Sequence, residues 1–482
     1  LSSSSAASDV YKRQIMINSR KLQITGLSML SLVGSGCTDK NGSIENGVRP
    51  NIVLFLADDI GAECFGCMGG VSYDTHIIDS LAEKSLFFPN MHAQPLSSPS
   101  RVQLMTGLYN DKNYVCFGYM NDDEPTFSQL AQQAGYTTGM FGKWQLGRSR
   151  EMPTRLGWDE WCLFQLEVYK EFNGPTGTDR YANCMMDNHG HYEYSIYGPD
   201  GFESAAFEFL DKQKDSDKPF LLYYSTPLVH TPHTPTPDSE SWDLDFAGRF
   251  QKDTANFKDM VAYLDKKVGR MIDRLKRNGQ WENTIFIFTS DNGTSTRIVS
   301  QMSDGTLRRG GKGDPRGIGT SVPLIICWGD KLEPRESQRL VDFTDFFPTF
   351  ADAMRIAVPE EYGLDGVSLF PEIVGEKPLE KEISLMHYNP LWPVAAAPYA
   401  SRAARTTEWK YYWDGRFYNT KTDFMEEHPI DIDTCSNEIK TIYAKLKAKV
   451  EECPNFYPDM PGAPRRGNYG TFYDFAEPNN PF

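Results

Sequence analysis

The chain has 482 residues, of which 40% are hydrophobic, 13% aromatic and 24% charged, and its formal net charge is -16 at pH 7. This length suits one large α/β domain with an appendage, or two to three smaller domains. The negative charge argues against general binding to nucleic acid or to an anionic membrane surface, so an anionic ligand would need local lysines and arginines.

The N-terminal region has the pattern of processing signals. Residues 1–15 include "SSAASDVYKRQ", which looks like the translation of a sequencing adapter, so we expect the native chain to begin at Met16. Residues 16–36 form a signal peptide with a basic start, an apolar stretch and small residues before Cys37. The junction resembles a bacterial lipobox, so we expect lipidation of Cys37, a linker over 37–50, and no transmembrane span. The protein would then be exported and held in the periplasm or at the outer membrane. An ordinary signal peptide with a coincidental cysteine is the alternative.

Strands and helices alternate from residue 51 onward. Thr126 is placed to cap one helix that ends before Gly135, and a second, amphipathic helix begins at Phe257 and stops at Gly279. This alternation predicts an α/β fold with a large, mainly parallel sheet flanked by helices over residues 51–375, and ligands at the carboxyl ends of its strands. Four near-continuous apolar runs have the composition of strands buried on both faces, namely Asn51–Ala57, Pro219–Tyr224, Thr284–Ser290 and Val322–Trp328.

After about residue 376 the pattern changes. The segments "ISLMHYNPLW" and "WKYYWDGRFYN" predict strands, and "NEIKTIYAKLKAKVEE" predicts a helix. We therefore expect residues 376–482 to form a small C-terminal α+β subdomain with an antiparallel sheet and a helix. Cys64 and Cys67 have the spacing of a redox or zinc motif, but no second ligand pair follows at zinc-site distance, so we interpret them as loop residues. Spacing alone gives no disulfide pairing.

Acidic and amide side chains follow two of the predicted core strands. Asp58 and Asp59 come after the first strand, and Asp291 and Asn292 after the third. Each motif alone is commonly a turn or a solvated loop. Together, three carboxylates and an amide at one edge of a sheet would repel without a cation, and oxygen-only ligands favour calcium or magnesium over zinc.

Cationic residues and a proline-containing turn stand near these acids in the predicted fold. In "SSPSR", residues Ser97 to Arg101, Pro99 suits a first helical turn, whose N–H groups favour an anion. Lys143 in "GKWQLG" and Lys312 in "GGKG" lie in glycine-containing loops, where the backbone can approach a ligand closely. The second segment is not a phosphate-binding loop, because the required spacing and the following Ser or Thr are missing.

Two histidines and two aromatic segments are the remaining candidates for functional residues. His230 follows the second predicted strand and can transfer a proton near neutral pH, with nearby His233 as the alternative. The segments His387–Pro393 and Asn188–Gly198 are aromatic-rich. They either stack on sugar rings or pack in the core.

Six motifs occur in one order over most of the chain: "NIVLFLADDIG", "SSPSR" with "LMTGLY", "GKWQLG", "SDNG", "GGKG" and "LDGVSLFP". In this order they resemble the type I, formylglycine-dependent sulfatases of the alkaline-phosphatase superfamily, such as the arylsulfatases. The resemblance implies a sulfuric ester hydrolase with one bound calcium ion. It also implies a formylglycine nucleophile, made from Ser97 by a maturation enzyme that accepts serine. The implied calcium positions are Asp58, Asp59, Ser97, Asp291 and Asn292; the implied catalytic residues are Ser97, Arg101, Lys143, His230 and Lys312; Gln145 and His233 are assigned to substrate binding.

One position departs from the family pattern. Gln145 stands where the family usually has histidine, and glutamine can hydrogen-bond to a hydroxyl but cannot take its proton. Either another group assists turnover or turnover is slow. We expect a sulfated saccharide or an aryl sulfate as substrate. The alternatives are a phosphoric or phosphonic ester hydrolase on the same fold and a catalytically inactive lipoprotein that binds sulfated glycans.

Overall fold

A mixed sheet of eleven strands runs through the part of the chain that our computed structural model describes, which is residues 49–114, 117–147, 150–164, 180–242, 252–389 and 400–453. The strands of this sheet and of two smaller sheets are, in chain order, β1 Asn51–Ala57, β2 Leu86–His92, β3 Thr137–Lys143, β4 Glu160–Phe164, β5 Ala182–Asn188, β6 His191–Tyr197, β7 Phe220–Ser225, β8 Thr284–Ser290, β9 Val299–Gln301, β10 Leu307–Arg309, β11 Ser321–Trp328, β12 Arg335–Glu336, β13 Val341–Asp342, β14 Ser384–Tyr388, β15 Ser401–Arg405, β16 Trp409–Tyr412 and β17 Phe417–Asn419. The order in the large sheet is β12-β2-β11-β8-β1-β7-β3-β4-β5-β6, with β13 beside β2.

Helices cover the sheet. They are α1 His76–Glu83, α2 Ser97–Thr106, α3 Asn110–Asn113, α4 Phe127–Gln133, α5 Met152–Arg155, α6 Gly198–Lys212, α7 Phe257–Arg277, α8 Gly317–Thr320, α9 Phe346–Met354, α10 Phe370–Ile373 and α11 Asn437–Glu451. The predicted helix signals are confirmed for α4 and α7. Thr126 caps α4 in a capping box with Gln129, and Gly135 follows that helix at φ +80°. Gly279, at φ +72°, lies just beyond α7. Among the described residues, none of the helices combines the length and the apolar character needed to cross a membrane.

The centre of the sheet explains the continuous apolar runs. β1 lies between β7 and β8 and is parallel to both. Its side chains alternate between two core clusters, with Leu54 in one and Phe55 in the other, so both faces of the sheet are covered. The four predicted strands are confirmed as β1, β7, β8 and β11, with bounds that agree within one residue. β11 runs antiparallel to both β8 and β2, which makes the sheet mainly but not wholly parallel.

This topology decides which residues meet. The carboxyl ends of the parallel strands β1, β3, β7 and β8 open at one edge, the position where open α/β sheets bind ligands. Because β11 is antiparallel, its amino end and the segment before it lie at the same edge. The backbone N–H of Lys312 donates to the carbonyl of Thr294, which joins that segment to the loop after β8 at 2.8 Å.

The C-terminal residues form the predicted antiparallel sheet, in the order β14-β15-β16-β17, with α11 packed against β15 and β16. β15 was not predicted, because "SRAAR" lacks the β-branched and aromatic residues that mark a strand. The segment forms a strand because it pairs with both β14 and β16. The division at residue 375 stays a prediction. The expected signal peptide, Cys37 and the tail after residue 453 lie outside the described residues.

Candidate active site

Ser97 is the first residue of α2, and every residue of this helix is buried. Its Oγ lies 3.1 Å from Asn292 Oδ1 and 3.4 Å from Asp58 Oδ1, and it accepts a hydrogen bond from Lys143 Nζ at 3.0 Å. One hydroxyl therefore contacts residues that follow β1 and β8 and the last residue of β3. Four segments far apart in the sequence meet at this atom.

Ser98 and Ser100 accept backbone hydrogen bonds near the start of α2. Ser100 Oγ accepts a hydrogen bond from the backbone N–H of Gln94 at 3.0 Å, and Ser98 Oγ accepts one from Gly118 at 2.8 Å. Ser100 lies within the first turn of α2. Of the three serines, only Ser97 hydrogen-bonds to the acidic residues.

Three carboxylates lie together without solvent exposure: Asp58, Asp59 and Asp291. Asp291 Oδ1 accepts the backbone N–H of Asp59 at 3.0 Å, and Asp59 Oδ1 accepts Asn292 Nδ2 at 2.9 Å. Asp59 has a φ of +61°, a strained value for a residue other than glycine. Burial raises the pKa of Asp58 to about 7; Lys143 opposes this rise, whereas Asp291 and Asp59 add to it. At Asp58, the nearby cations thus offset only part of the cost of burial.

Arg101 and Lys143 supply buried positive charge. Arg101 donates to Asp291 Oδ2 from Nε at 3.1 Å and from Nη2 at 2.8 Å, and Lys143 Nζ lies 2.7 Å from Asp58 Oδ1. Burial alone would raise the pKa of Asp291, but Arg101 and then Lys143 outweigh it and hold that pKa at about 2. Burial lowers the pKa of Lys143 to about 8, even though Asp58 opposes this change.

Gly142 places Lys143 by allowing two strands to approach closely. It has a φ of +108°, and a Cβ at this position would lie 2.0 Å from the carbonyl oxygen of Ser225 on β7. No other residue type fits without moving the backbone. The glycine before the lysine in "GKWQLG" is therefore a packing requirement of the site.

Lys312 and His230 form the opposite side of the site. Lys312 pairs with Asp59, and its Nζ lies 2.9 Å from His230 Nε2. His230 Nδ1 lies 2.6 Å from the carbonyl oxygen of Thr231. Because the ammonium can only donate, Nε2 accepts and the imidazole is neutral with its proton on Nδ1. Burial, together with the charges of Arg180 and Lys312, lowers the pKa of His230 well below its usual value.

Gln145 and His233 lie near this centre but do not hydrogen-bond to Ser97 in the described part of the chain. Gln145 has a φ of +57°, its carbonyl oxygen is 3.5 Å from Ser98 Oγ, and its buried side-chain oxygen has no hydrogen-bond partner there. His233 packs edge to face on Phe257, and burial lowers its pKa to about 4.

The arrangement fits a hard cation. Asp58 Oδ2 is buried and has no hydrogen-bond partner among the described residues. One ligand atom each of Asp58, Asp59 and His230 lie within 4.8 Å of one another. The proximity of His230 is not ligation, because its Nε2 already accepts from Lys312. The oxygen donors favour calcium or magnesium, as the sequence predicted.

Arg180 is a neighbour that no motif indicated. It lies just before β5, and its Nη1 is 3.9 Å from Asp58 Oδ2. Arg180 follows "GPTGTD", which matches none of the motifs recognised in the sequence, so only the fold identifies it.

The two aromatic segments differ in solvent exposure. Three side chains of β6 are exposed on one face, by 39% for Tyr192, 73% for Tyr194 and 60% for Ile196, so this segment can meet a ligand. His387 and Tyr388 are instead buried. Residues 390–393 lie outside the described residues.

Comparisons with known proteins show which proteins this chain is similar to. The Sulfatase family model matches residues 50–356. An uncharacterized sulfatase of Escherichia coli, YdeN, is 30% identical over 340 residues, which cover 65% of this chain and 58% of that protein. An N-acetylgalactosamine-6-O-sulfatase of Bacteroides thetaiotaomicron is 26% identical over 438 residues, covering 74% of this chain and 83% of that protein. The crystal structure of Ps i-CgsB in complex with a neocarrahexaose superposes with a TM-score of 0.67 at 26% identity, covering 84% of this chain and 92% of that one.

Proposed function

This chain belongs to the sulfatase family of the alkaline-phosphatase superfamily, and on that premise we propose that it hydrolyses a sulfate ester of a carbohydrate. The observation that carries the proposal is the convergence on Ser97 Oγ of Lys143, Asp58 and Asn292 in a buried site. Calcium and a formylglycine derived from Ser97 belong to the proposal. A saccharide is favoured over a simple aryl sulfate because relatives are named for a sulfated sugar or were crystallised with an oligosaccharide.

The conversion of Ser97 supplies reactivity that serine lacks. A serine hydroxyl is a weak nucleophile, and the sulfate ester it would form has no easy exit. Hydrated formylglycine supplies two geminal hydroxyls, one to attack sulfur and one whose ionisation expels sulfate and restores the aldehyde. Lys143, at 3.0 Å from Oγ, is placed to stabilise negative charge at this position. Asn292 orients the group through its contact at 3.1 Å.

The oxygen ligands of the calcium would be Asp58, Asp59, Asp291 and Asn292, with residue 97 alongside. Bound calcium would polarise the sulfate and favour ionisation of the attacking hydroxyl. The unpartnered Asp58 Oδ2 is the atom most in need of such a cation.

The cations divide into two roles. Lys143 lies 2.7 Å from Asp58 and 4.0 Å from Asp291, and Lys312 pairs with Asp59, so both ammonium groups lie at the acidic cluster and suit binding to the peripheral oxygens of the sulfate. Arg101 does not. All three of its nitrogens are engaged by Asp291, the Lys143 carbonyl, Tyr223 and Ser225. Its contacts favour positioning of Asp291 over contact with the sulfate.

His230 is the proton donor that we assign to the leaving oxygen of the sugar. The imidazole is neutral beside Lys312, so it must gain a proton before it can act as an acid. An anionic sulfate ester next to it would raise its pKa and so favour uptake of that proton. Protonation of a poor leaving group by a positioned side chain contributes about a hundredfold or more in rate.

Coexpression with a serine-accepting maturation enzyme tests the proposal. The matured protein should lose two hydrogen atoms at Ser97, by mass spectrometry, and release sulfate from members of a panel of sulfated saccharides. Protein made without the maturation enzyme, and a Ser97→Ala variant made with it, should be folded and nearly inactive. Fully oxidised, calcium-loaded protein that releases no sulfate from any panel member would refute the assignment, and phosphate release from phosphoesters would favour the alternative hydrolase.

Export with a lipid anchor at Cys37 also remains a proposal. It is supported by the sequence pattern of residues 16–37 alone. N-terminal sequencing and mass analysis of the mature protein from its own host should find a lipidated Cys37 as the first residue. An unmodified chain starting elsewhere would refute it.

A further inference from the structure

Arg180 is a buried cation whose Nε and Nη1 lack hydrogen-bond partners in the described part of the chain. Its side chain is 10% exposed, and both Nε and Nη1 are buried without a partner among the described residues. The nearest carboxylate oxygen, Asp58 Oδ2, lies at 3.9 Å, beyond hydrogen-bond distance. The ion pair with Asp58 is long, and burying two guanidinium nitrogens without a hydrogen-bond acceptor costs free energy, so this state indicates a missing anionic partner.

The backbone around Arg180 is held firmly at the site. The hydroxyl of Tyr181 lies 2.8 Å from the carbonyl oxygen of Pro227 and 2.5 Å from that of His230. Gly198, at the start of α6, packs so closely that a Cβ there would lie 2.2 Å from the carbonyl oxygen of Arg180. The position of Arg180 is therefore tied to the segment that carries His230.

Its neighbours place Arg180 on the leaving-group side. Apart from burial, the charge of Arg180 is the largest influence that lowers the pKa of His230, ahead of Lys312. The guanidinium carbon of Arg180 lies 5.7 Å from the ring centroid of Phe164, within cation–π distance. Asp58 lies 3.9 Å from Arg180 Nη1, and ligand atoms of Asp58 and His230 lie within 4.8 Å of each other, so Arg180 is close to the group assigned to protonate the departing sugar.

The scissile sulfate does not need this additional cation. The three buried carboxylates are matched by three cations, Arg101, Lys143 and Lys312. A sulfate monoester carries one negative charge, which the proposed calcium and the two lysines already face. Arg180 is positive charge in excess of both the carboxylates and this ester.

We propose that Arg180 binds a second anionic group of the substrate, either a carboxylate or a further sulfate on the saccharide next to the scissile ester. This inference rests on the proposed function and narrows its substrate class to saccharides with more than one acidic group. Arg180 is then a specificity residue, and its planar fork suits bidentate binding of either oxyanion.

The test compares matched probes with the matured, calcium-loaded enzyme and its Arg180→Gln variant. The probes are an N-acetylhexosamine monosulfate, the same sugar with a second ring sulfate, and a sulfated disaccharide that contains a uronate. The last two distinguish the two sources of the second anion. We expect the preference for at least one dianionic probe over the monosulfate, as a ratio of kcat/KM, to fall about ten- to a hundredfold. Arg180→Lys should recover part of the preference for the dianionic probe. Arg277→Gln, which removes one exposed positive charge at the end of α7, should leave the ratio unchanged.

A binding measurement separates this inference from the proposed function. Protein with unmodified Ser97 cannot turn over, but it should bind the dianionic probe in calorimetry, and Arg180→Gln should weaken that binding about tenfold or more. Equal losses of kcat/KM on all probes, or no change in the ratio and in binding, would overturn the inference. If matured wild-type protein releases no sulfate from any probe, the proposed function fails, and the calorimetry alone decides the role of Arg180.

Discussion

The buried pair of Arg101 and Asp291 allows a quantitative test of the charge arrangement. Both side chains are fully buried, and two nitrogens of Arg101 donate to the same carboxylate oxygen at 3.1 and 2.8 Å. Arg101→Gln removes the cation and leaves the carboxylate buried without its main partner. Breaking a buried pair from one side costs about 3–5 kcal/mol, and we expect a loss of this size in the free energy of unfolding of calcium-free protein.

A double-mutant cycle distinguishes this electrostatic cost from a packing defect. Asp291→Asn keeps the shape of the side chain and removes its charge, so the double variant no longer buries an unpaired carboxylate. We expect it to recover about 2 kcal/mol or more relative to Arg101→Gln alone. Activity should not recover, because Asp291 is also a proposed calcium ligand.

Urea denaturation of the four proteins in chelator, followed by tryptophan fluorescence, measures the cycle. Calcium should reduce the deficit of Arg101→Gln, since the ion supplies countercharge to Asp291. Additive single-variant effects, or an Arg101→Gln protein as stable as wild type without calcium, would refute the reasoning.

Three further predictions follow from the site. Calcium at a hundredfold excess over its dissociation constant should stabilise the protein by about 2.7 kcal/mol and raise its melting temperature, with a smaller effect of magnesium; the absence of any shift in calorimetry would contradict the oxygen-ligand site. His230→Gln should lower kcat/KM on sugar sulfates about a hundredfold or more but much less on an aryl sulfate with an acidic leaving group, and equal losses would exclude a role in protonation. Gly142→Ala should destabilise by about 3 kcal/mol or more, because its Cβ meets the Ser225 carbonyl, whereas Gly135→Ala, also at positive φ but with open space, should cost about 1 kcal/mol in thermal unfolding.

The sequence predicted the parts of the site that short motifs carry. The acids after β1 and β8 follow continuous apolar runs, and a strand buried on both faces has a distinctive composition. The turn at Ser97 and the glycine-flanked Lys143 and Lys312 were recognisable for similar local reasons. Their roles remain proposals, but the fold brings all of them to one edge of one sheet.

Other features had no local signal. Arg180 carries no motif, and its importance comes from the absence of a hydrogen-bond partner in its folded surroundings. Arg101 was an implied catalytic residue, and only the fold shows that acceptors surround all three of its nitrogens. His230 was expected to supply a proton near neutral pH, and only its contact with Lys312 shows that the imidazole is neutral.

By itself, the sequence determined the family, the class of fold, the central strands and the residue types of the site, because these depend on composition, periodicity and motifs within a few residues. The tertiary structure alone decided which cation meets which carboxylate, which histidine nitrogen accepts a hydrogen bond, and which arginine has nitrogens without a hydrogen-bond partner among the described residues. Those properties depend on burial and on distances of a few ångströms between segments far apart in the chain. The free energy of a buried charge is set by these distances and this burial, which no single segment contains.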